Sequence, residues 1–483
     1  MPFRAHCERP LKIVSGEDVA QIHQASLRIL ETIGVKFLDD ETVRFLADQG
    51  CSVDLGKQIV HFPPELVEAS LRDCPSAFRL RARNPRYDIL FDAHSVQFSA
   101  CSGMEILDLG TMKRRPGTLQ DAAEAVRLCD ALENIAGANT GLGYIADRPL
   151  ETNLEWLYAA AIRNSEKVTS VGVMEDSEKW GIRMAQAAGE DMIVVVSSAS
   201  PLGWTRDQIV GARRALEAGM PVGLQSMASP GATGPATLAG SVTLMNAEVL
   251  AMAVLVQLLS PGTGIIYSCF TIPLDMRTAT LASGSIELGM MTALSAQLAR
   301  HYHMGSMVFS PMTDAKLFDQ QAGYEKGMQW LLAGMAGINL IWGAGMAEGH
   351  GLWSNAQLLV DAEMCGMVGR YLQGLRVDAD TLALEVMEEV GHMPHTYLDT
   401  KHTRDWWKGE RYLPLVSSRE AYDRWVELGS PEIMARAEEK ARALLEAHEP
   451  VPLPEEVDRE LDRLLAAAAR EKGIDPYHRS APA

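Results

Sequence analysis

The chain is predicted to fold as an α/β protein, a (β/α)8 TIM barrel with an N-terminal α+β cap and a C-terminal helical extension. Three observations predict it. Eight short runs rich in β-branched and small apolar residues recur at 97–101, 135–141, 168–174, 192–198, 222–227, 264–269, 306–311 and 340–345. Each is followed by a helical pattern, and eight is the number of strands that a closed parallel barrel needs. The length of 483 residues suits a barrel of roughly 250 residues with additions at both ends. Finally, a polar cluster of Asp314, Lys316, Asp319, Gln320, Gln321, Tyr324 and Glu325 follows the run at 306–311. In such a barrel, polar groups massed at the carboxyl end of a strand mark where ligands and chemistry are found.

Residues 1–94 form the expected cap. Amphipathic patterns predict helices over 17–33 and 40–49, with Gly34 and Gly50 where C-caps belong, then a short strand at 58–62 and a helix from Pro64. Residues 95–375 carry the barrel. Its first unit departs from a simple strand and helix, because 104–109 and the turn at 110–116 suggest a hairpin. Residues 376–483 turn helical and charged, with EEKARALLEAHE and EEVDRELDRLLAAAAREK separated by a proline-rich linker at 450–454. Each tail helix has one apolar stripe, which predicts packing on the barrel or on a sister subunit, hence a homo-oligomer.

Composition narrows the function classes. A formal charge of −19 argues against a nucleic-acid partner, since phosphate binding needs clustered Lys and Arg. Hydrophobic content of 47% is ample for a packed interior. Seven cysteines, far apart and without a CxxC pair, suggest reduced thiols in a cytoplasmic protein rather than a disulfide framework or a thiolate zinc site. The opening MPFRAHCERPLK has no apolar h-region. The greasy stretch at 247–267 contains Glu248, Gln257 and a Pro261–Gly262 break, so it predicts a buried helix, a turn and a strand in place of a membrane span.

Signatures of common chemistries are missing: no GxGxxG after a strand, GxxxxGK[ST], GxSxG or HExxH is present. His392, His395 and His402, with Asp399 among them, have spacing that could assemble a zinc site, but Pro394 breaks any helix that would align the first two. His301 and His303 precede a strand, where a structural or surface role is expected. The polar cluster has its own ordinary reading as a helix start, with Thr313 or Asp314 as cap and an acidic first turn. Aromatic residues are only 6% of the chain, which makes their positions useful. Tyr267 and Phe270 end the sixth run, Trp342 lies in the eighth, and Glu348, His350 and Trp353 follow it. Rings at these places are either ordinary core or part of a mouth-facing subset.

Several segments carry a resemblance. TDAKLFDQQAGYE followed by AGINLIWGAGM, the stretch at 237–270, LDMRTAT at 274–280, and GVKF, FPPELVEASL and RNPRYD between 34 and 88 together resemble the trimethylamine methyltransferase superfamily of corrinoid-linked methyltransferases, a family tied to methanogenesis and one-carbon metabolism. The matches run in order from about 34 to 414. Members acting on trimethylamine carry pyrrolysine, whereas this chain shows only standard residues, so the resemblance points to the branch that includes glycine betaine methyltransferases.

It implies a methyltransferase that moves a methyl group from a quaternary amine to the cobalt(I) of a corrinoid carried by a partner protein, with no protein-bound metal. A quaternary ammonium ion has no hydrogen to donate, so ring faces, carboxylates and shape must hold it. On this basis Asp314, Glu348 and His350 are the candidate catalytic residues, and Tyr267, Phe270, Asp275, Lys316, Trp342 and Trp353 the candidate substrate contacts. Lys316 and His350 are candidates for a substrate carboxylate. Gln321, Tyr324 and Glu325 stand behind these or face the corrin. The rival readings are a metal-dependent barrel lyase or hydrolase using the 392–402 histidines, and a betaine- or corrinoid-binding protein without turnover.

Overall fold

The computed structural model describes residues 4–137 and 139–475. Its centre is an eight-stranded mixed sheet with alternating helices, curled into an open half-barrel. In order across the sheet the strands are Ala5–His6, Ser95–Ala100, Leu340–Ala344, Gly305–Val308, Ile265–Cys269, Val222–Ser226, Met192–Ser197 and Thr169–Gly172. All neighbours are parallel except Ala5–His6, which runs antiparallel to Ser95–Ala100. Sequences such as MIVVVS form these strands because β-branched residues fit a pleat that is covered on both faces, and Met192 to Val196 are all buried.

Seven of the eight expected runs form these parallel strands. The run at 135–141 does not. Among its described residues only Gly137 pairs, through single parallel bridges to Ser99 and Val168 that lie between the two ends of the curled sheet. The Ile135 carbonyl is engaged otherwise, accepting from the buried Lys167 ammonium at 2.7 Å, while the Ala136 amide donates to the Phe98 carbonyl of the neighbouring strand. A side chain at Gly137 would lie 2.8 Å from the Ser99 hydroxyl, so this close approach needs glycine.

The cap elements form largely as expected. Helix Gly16–Thr32 starts at Ser15, whose hydroxyl accepts from the Asp18 amide while the Asp18 carboxylate accepts from the Ser15 amide. Gly34, at φ +77°, turns the chain into the strand Val35–Phe37, and helices Asp40–Asp48 and Pro64–Arg72 follow. Strands Phe78–Leu80 and Ile89–Phe91 then close the amino end of the half-barrel. Leu80, Ile89 and Phe91 form one buried cluster with Ile193, Val195, Ile266, Met307, Leu340 and Trp342. Gly264 and Gly305 make room for the Phe78 and Phe91 rings, since an added Cβ would lie 2.8 and 2.7 Å from them. With that end filled, the carboxyl ends of the strands are where a site is expected.

The hairpin after the first strand is present, as Glu105–Asp108 and Lys113–Pro116. It joins Leu352–Trp353 and Met346–Ala347 in a four-stranded sheet, bringing the chain after the first and last strands together. Helix Leu238–Leu259 is the one among the described residues long and apolar enough to cross a membrane, and 78% of its most apolar stretch is buried within the protein.

Of the tail helices, Ile433–Ala447 packs on Asn355–Leu372, and Glu455–Glu471 packs on Glu178–Ala188 and Asn153–Asn164. Their stripes, Ala437 and Ala441 on one and Leu461, Leu465, Ala468 and Ala469 on the other, are buried in the chain's own core. Each leucine so covered contributes about 1.5–3 kcal/mol. Several apolar side chains of the extension are left uncovered before these helices. Leu375, Val377, Leu384, Met393 and Leu398 are exposed, and the four short helices between Ala379 and Glu427 bury no residue.

Candidate functional site

Side chains of a strand alternate, and the alternation decides which aromatic residues reach the interior. Ile266, Met307, Leu340 and Trp342 share the inner cluster. Tyr267 therefore points outward: its hydroxyl donates to Asn246 on helix Leu238–Leu259 at 2.9 Å, and burial pushes its phenol pKa well up. Phe270, Phe309, Trp342 and His350 come together at the strand ends. The Phe309 ring meets Trp342 edge-on with centroids 4.6 Å apart, Phe270 at 5.3 Å and His350 at 6.3 Å; Phe270 and His350 are 5.5 Å apart. Cys101, Ile272, Leu288, Met312 and Met346 pack around the phenylalanines.

His350 is fixed through one side of its ring. Its Nδ1 lies 3.2 Å from the Ser102 carbonyl and 3.5 Å from the Cys101 thiol. Burial works against the charged imidazolium, yet Cys101 and the Ser102 carbonyl outweigh it and hold the pKa above the usual histidine value. Phe309 and Cys101 were not singled out in the sequence, where an Ser310–Pro311 pair and scattered cysteines drew no attention to them.

The polar cluster after Gly305–Val308 is engaged with itself and with the next loop. The Asp314 carboxylate accepts from the amides of Ser283 at 2.8 Å and Gly284 at 2.9 Å. Behind it, Glu325 accepts from the Asp314 amide at 2.9 Å, from the Thr313 hydroxyl, and from the Gln321 amide group at 2.9 Å. A Cβ at Gly284 would meet the Glu325 carboxylate at 2.2 Å, so glycine there lets the carboxylate in. Asp319 caps helix Gln320–Met335 by accepting from the Gln321 and Ala322 amides. Lys316 is exposed and donates to the Asp314 carbonyl, and Tyr324, 58% exposed, faces solvent.

The other charged candidates are also paired. Glu348, a non-glycine residue at φ +50°, holds Arg114 of the hairpin at 2.7 Å. Its amide and that of Gly349 donate to the Ala315 and Thr313 carbonyls, tying the two loops together. Asp275 is bound by the Arg277 guanidinium and amide, which hold its carboxyl down to about 2. Trp353 is buried with its ring over Gly345 and its indole N–H on Asn355 at 2.9 Å.

Sequence reasoning missed Lys326 and Asp361, which hold the turn beneath the site. The Lys326 ammonium donates to the Gly343 and Met346 carbonyls at 2.8 and 2.7 Å and pairs with Asp361 at 2.7 Å. Asp361 also accepts from the Gly345 amide at 2.8 Å. Burial raises its carboxyl pKa, opposed by Lys326. The available signal was a lysine on the same helix face as Ala322, Trp330 and Ala333.

The histidines considered for a metal are apart from all this. His392 and His395 are exposed, and His402 stacks on Trp406 with centroids 5.9 Å apart. Among the described residues, no three His, Cys, Asp or Glu side chains are grouped to hold a metal. A cavity of about 350 Å³ lies between the hairpin and helix Ile433–Ala447, and one of about 810 Å³ lies in the 378–406 segment, beside His402 and Trp406.

This chain matches the family model described as trimethylamine methyltransferase (MTTB) over residues 1–473. It is 33% identical over 475 residues to the glycine betaine methyltransferase of Desulfitobacterium hafniense strain Y51, covering 95% of this chain and 98% of that one. Identity to the trimethylamine methyltransferase MttB of strain DCB-2 is 32% over 477 residues, covering 95% and 94%. The solved monomethylamine methyltransferase of Methanosarcina barkeri shares the fold with a TM-score of 0.53 at 13% identity, covering 91% of this chain and 89% of that one. A half-barrel filled at its amino end, with an aromatic group at the strand ends, thus accompanies end-to-end sequence matches, and the chain belongs to the trimethylamine methyltransferase (MTTB) family.

Proposed function

We propose that the chain transfers a methyl group from a quaternary amine, glycine betaine or a compound like it, to the cobalt(I) of a corrinoid carried by a partner protein. The observation that carries the reading is the group of Phe270, Phe309, Trp342 and His350 at the strand ends, beside carboxylates that are already paired. Ring faces attract a permanent cation that cannot donate a hydrogen bond. Family membership supports the reaction class, and the name of the Desulfitobacterium betaine enzyme supports the substrate class.

When docked, the reduced corrin supplies the nucleophile that takes the methyl carbon. The C–N bond breaks with its electron pair left on nitrogen, so a neutral tertiary amine departs and no proton needs to move. The chain's own residues then act by position. Phe270, Phe309 and Trp342 hold the cation, and the apolar surroundings of Met312 and Met346 exclude water. Asp314, Glu325 and Glu348 shape the loops that border the site. Trp353, through Gly345, shapes the turn below, and Tyr267 packs the strand from outside. Asp275, Lys316, Gln321 and Tyr324 are closer to the rim.

The rim suits a large apolar acceptor. Met104, Met174, Met227, Met276 and Leu317, all exposed, follow five of the strand ends, and methionine is polarizable and adapts its shape to a partner surface. We further take the half-barrel to be a (β/α)8 barrel closed through Gly137, the protein to be cytoplasmic, in keeping with seven unpaired buried cysteines, and the chain to self-associate through the exposed apolar segment at 375–398.

The test is a panel of methylated amines incubated with purified protein and cob(I)alamin, following loss of the cob(I) spectrum. Methyl transfer from at least one quaternary amine, faster than from its dimethyl analogue, is expected. No transfer from any quaternary amine, or equal transfer from both forms, overturns the reading.

A further inference from the structure

We propose that the indole N–H of Trp342 is a specificity-determining donor that binds the carboxylate of a zwitterionic quaternary amine; the inference rests on the function proposed above. Trp342 is 3% exposed, and its Nε1 is buried without a hydrogen-bond partner among the described residues. Buried donors are rarely left so. Other buried indoles here are satisfied: Trp204 donates to the Glu248 carbonyl at 3.1 Å and Trp353 to Asn355 at 2.9 Å. Trp180, also without a partner, lies on the outer helix Glu178–Ala188 beside Lys179 and Arg183. Trp342 is the unpartnered indole that sits in the inner cluster, against the Phe309 ring.

A second donor borders the same ring. His350 commits its Nδ1–H to the Ser102 carbonyl, beside the Cys101 thiol, so Nε2, without a protein partner among the described residues, donates when the ring is the imidazolium, the form that Cys101 and the Ser102 carbonyl favour. Two of the cations nearby are spent, Lys326 on Asp361 and two carbonyls and Arg114 on Glu348, while Lys316 stands exposed at the rim on the Asp314 carbonyl. The site therefore combines ring faces for a cation with two nitrogen donors that lack acceptors. A ligand satisfying both carries a quaternary nitrogen and an anionic acceptor in one small molecule. A carboxylate gains more from such donors than a hydroxyl, because charge-assisted hydrogen bonds are the stronger ones.

Binding to the purified full chain, without corrinoid, separates this inference from the reaction itself. Calorimetric titration uses glycine betaine, choline and tetramethylammonium. Wild type should bind betaine most tightly, with choline and tetramethylammonium similar to each other. Trp342→Phe keeps a ring and removes the N–H. It should weaken betaine by about tenfold and tetramethylammonium by less than about threefold, the size expected for losing one charge-assisted bond. His350→Phe, a second and independent variant, should show the same selective loss if Trp342→Phe does not fold. Equal losses for the two ligands, or wild-type choline binding as tight as betaine, overturn the inference while leaving a quaternary-amine site standing. Failure of wild type to bind any of the three overturns both the inference and the quaternary-amine reading.

Discussion

Lys326 and Asp361 form an ion pair of 2.7 Å in which neither side chain is exposed to solvent. The lysine ammonium is shared with the Gly343 and Met346 carbonyls, and the aspartate also takes the Gly345 amide. Three backbone groups at the end of the last strand and in the turn after it are thus organised around two opposite charges, with the Gln357 side chain donating to Asp361 as further support. Lys326→Met leaves a carboxylate buried and unpaired, and should cost about 3–5 kcal/mol of stability. Lys326→Met with Asp361→Leu should recover much of that. Chemical denaturation of both variants checks the ordering, and a double variant less stable than the single one would count against it.

Glu190 makes stability depend on pH. Both carboxylate oxygens are buried without a hydrogen-bond partner among the described residues, and burial, partly opposed by Arg83, pushes the carboxyl up from 4.5 to about 8. The folded state thus holds a proton that the unfolded state releases. As pH rises from 4.5 to about 8 this group removes stability at up to about 1.4 kcal/mol per pH unit, and above about 8 the loss is complete. Glu190→Gln should therefore raise Tm, by more at pH 8 than at pH 5. Thermal melts at the two pH values decide it.

Gly284 is predicted to be intolerant of any side chain. A Cβ would lie 2.2 Å from the Glu325 carboxylate, which holds the Asp314 amide and the Thr313 hydroxyl. Gly284→Ala should cost about 1–3 kcal/mol through overpacking and lower methyl transfer by disordering the 313–315 loop. A melt unchanged from wild type would show that Glu325 moves aside freely.

Asp314 is expected to act through the loop it anchors rather than through charge on the substrate. Its two oxygens accept from the Ser283 and Gly284 amides. Asp314→Asn keeps one acceptor and turns the other position into a donor facing an N–H, so stability should fall by about 1–2 kcal/mol. Methyl transfer from quaternary and tertiary amines should fall in the same proportion. Measured kcat/KM for glycine betaine and dimethylglycine, compared between wild type and variant, tests this; a loss confined to the quaternary substrate would restore a direct ion contact.

The sequence by itself determined the alternation of strands and helices, the hairpin after the first strand, the capped helices near the amino end, and the concentration of polar and aromatic residues around 309–353. These are local: β-branched runs favour strands, Ser15 and Asp18 form a capping box, and turn residues punctuate the chain. The tertiary structure decided which side each residue faces. In IIYSCF every position is apolar or small, so periodicity cannot tell that Ile266 faces inward and Tyr267 outward toward Asn246. It also decided which charges are spent. Asp275, Asp314 and Glu348 look equally available in the sequence, but Arg277, the Ser283 and Gly284 amides, and Arg114 occupy them once the loops meet. At 135–141, glycines and Asn139 leave little side-chain drive for a strand, while Lys167, distant in sequence, takes the Ile135 carbonyl. The unpaired indole of Trp342 belongs to the same category: a buried donor is without a partner only after every neighbour has been placed, and no single-chain pattern encodes that absence.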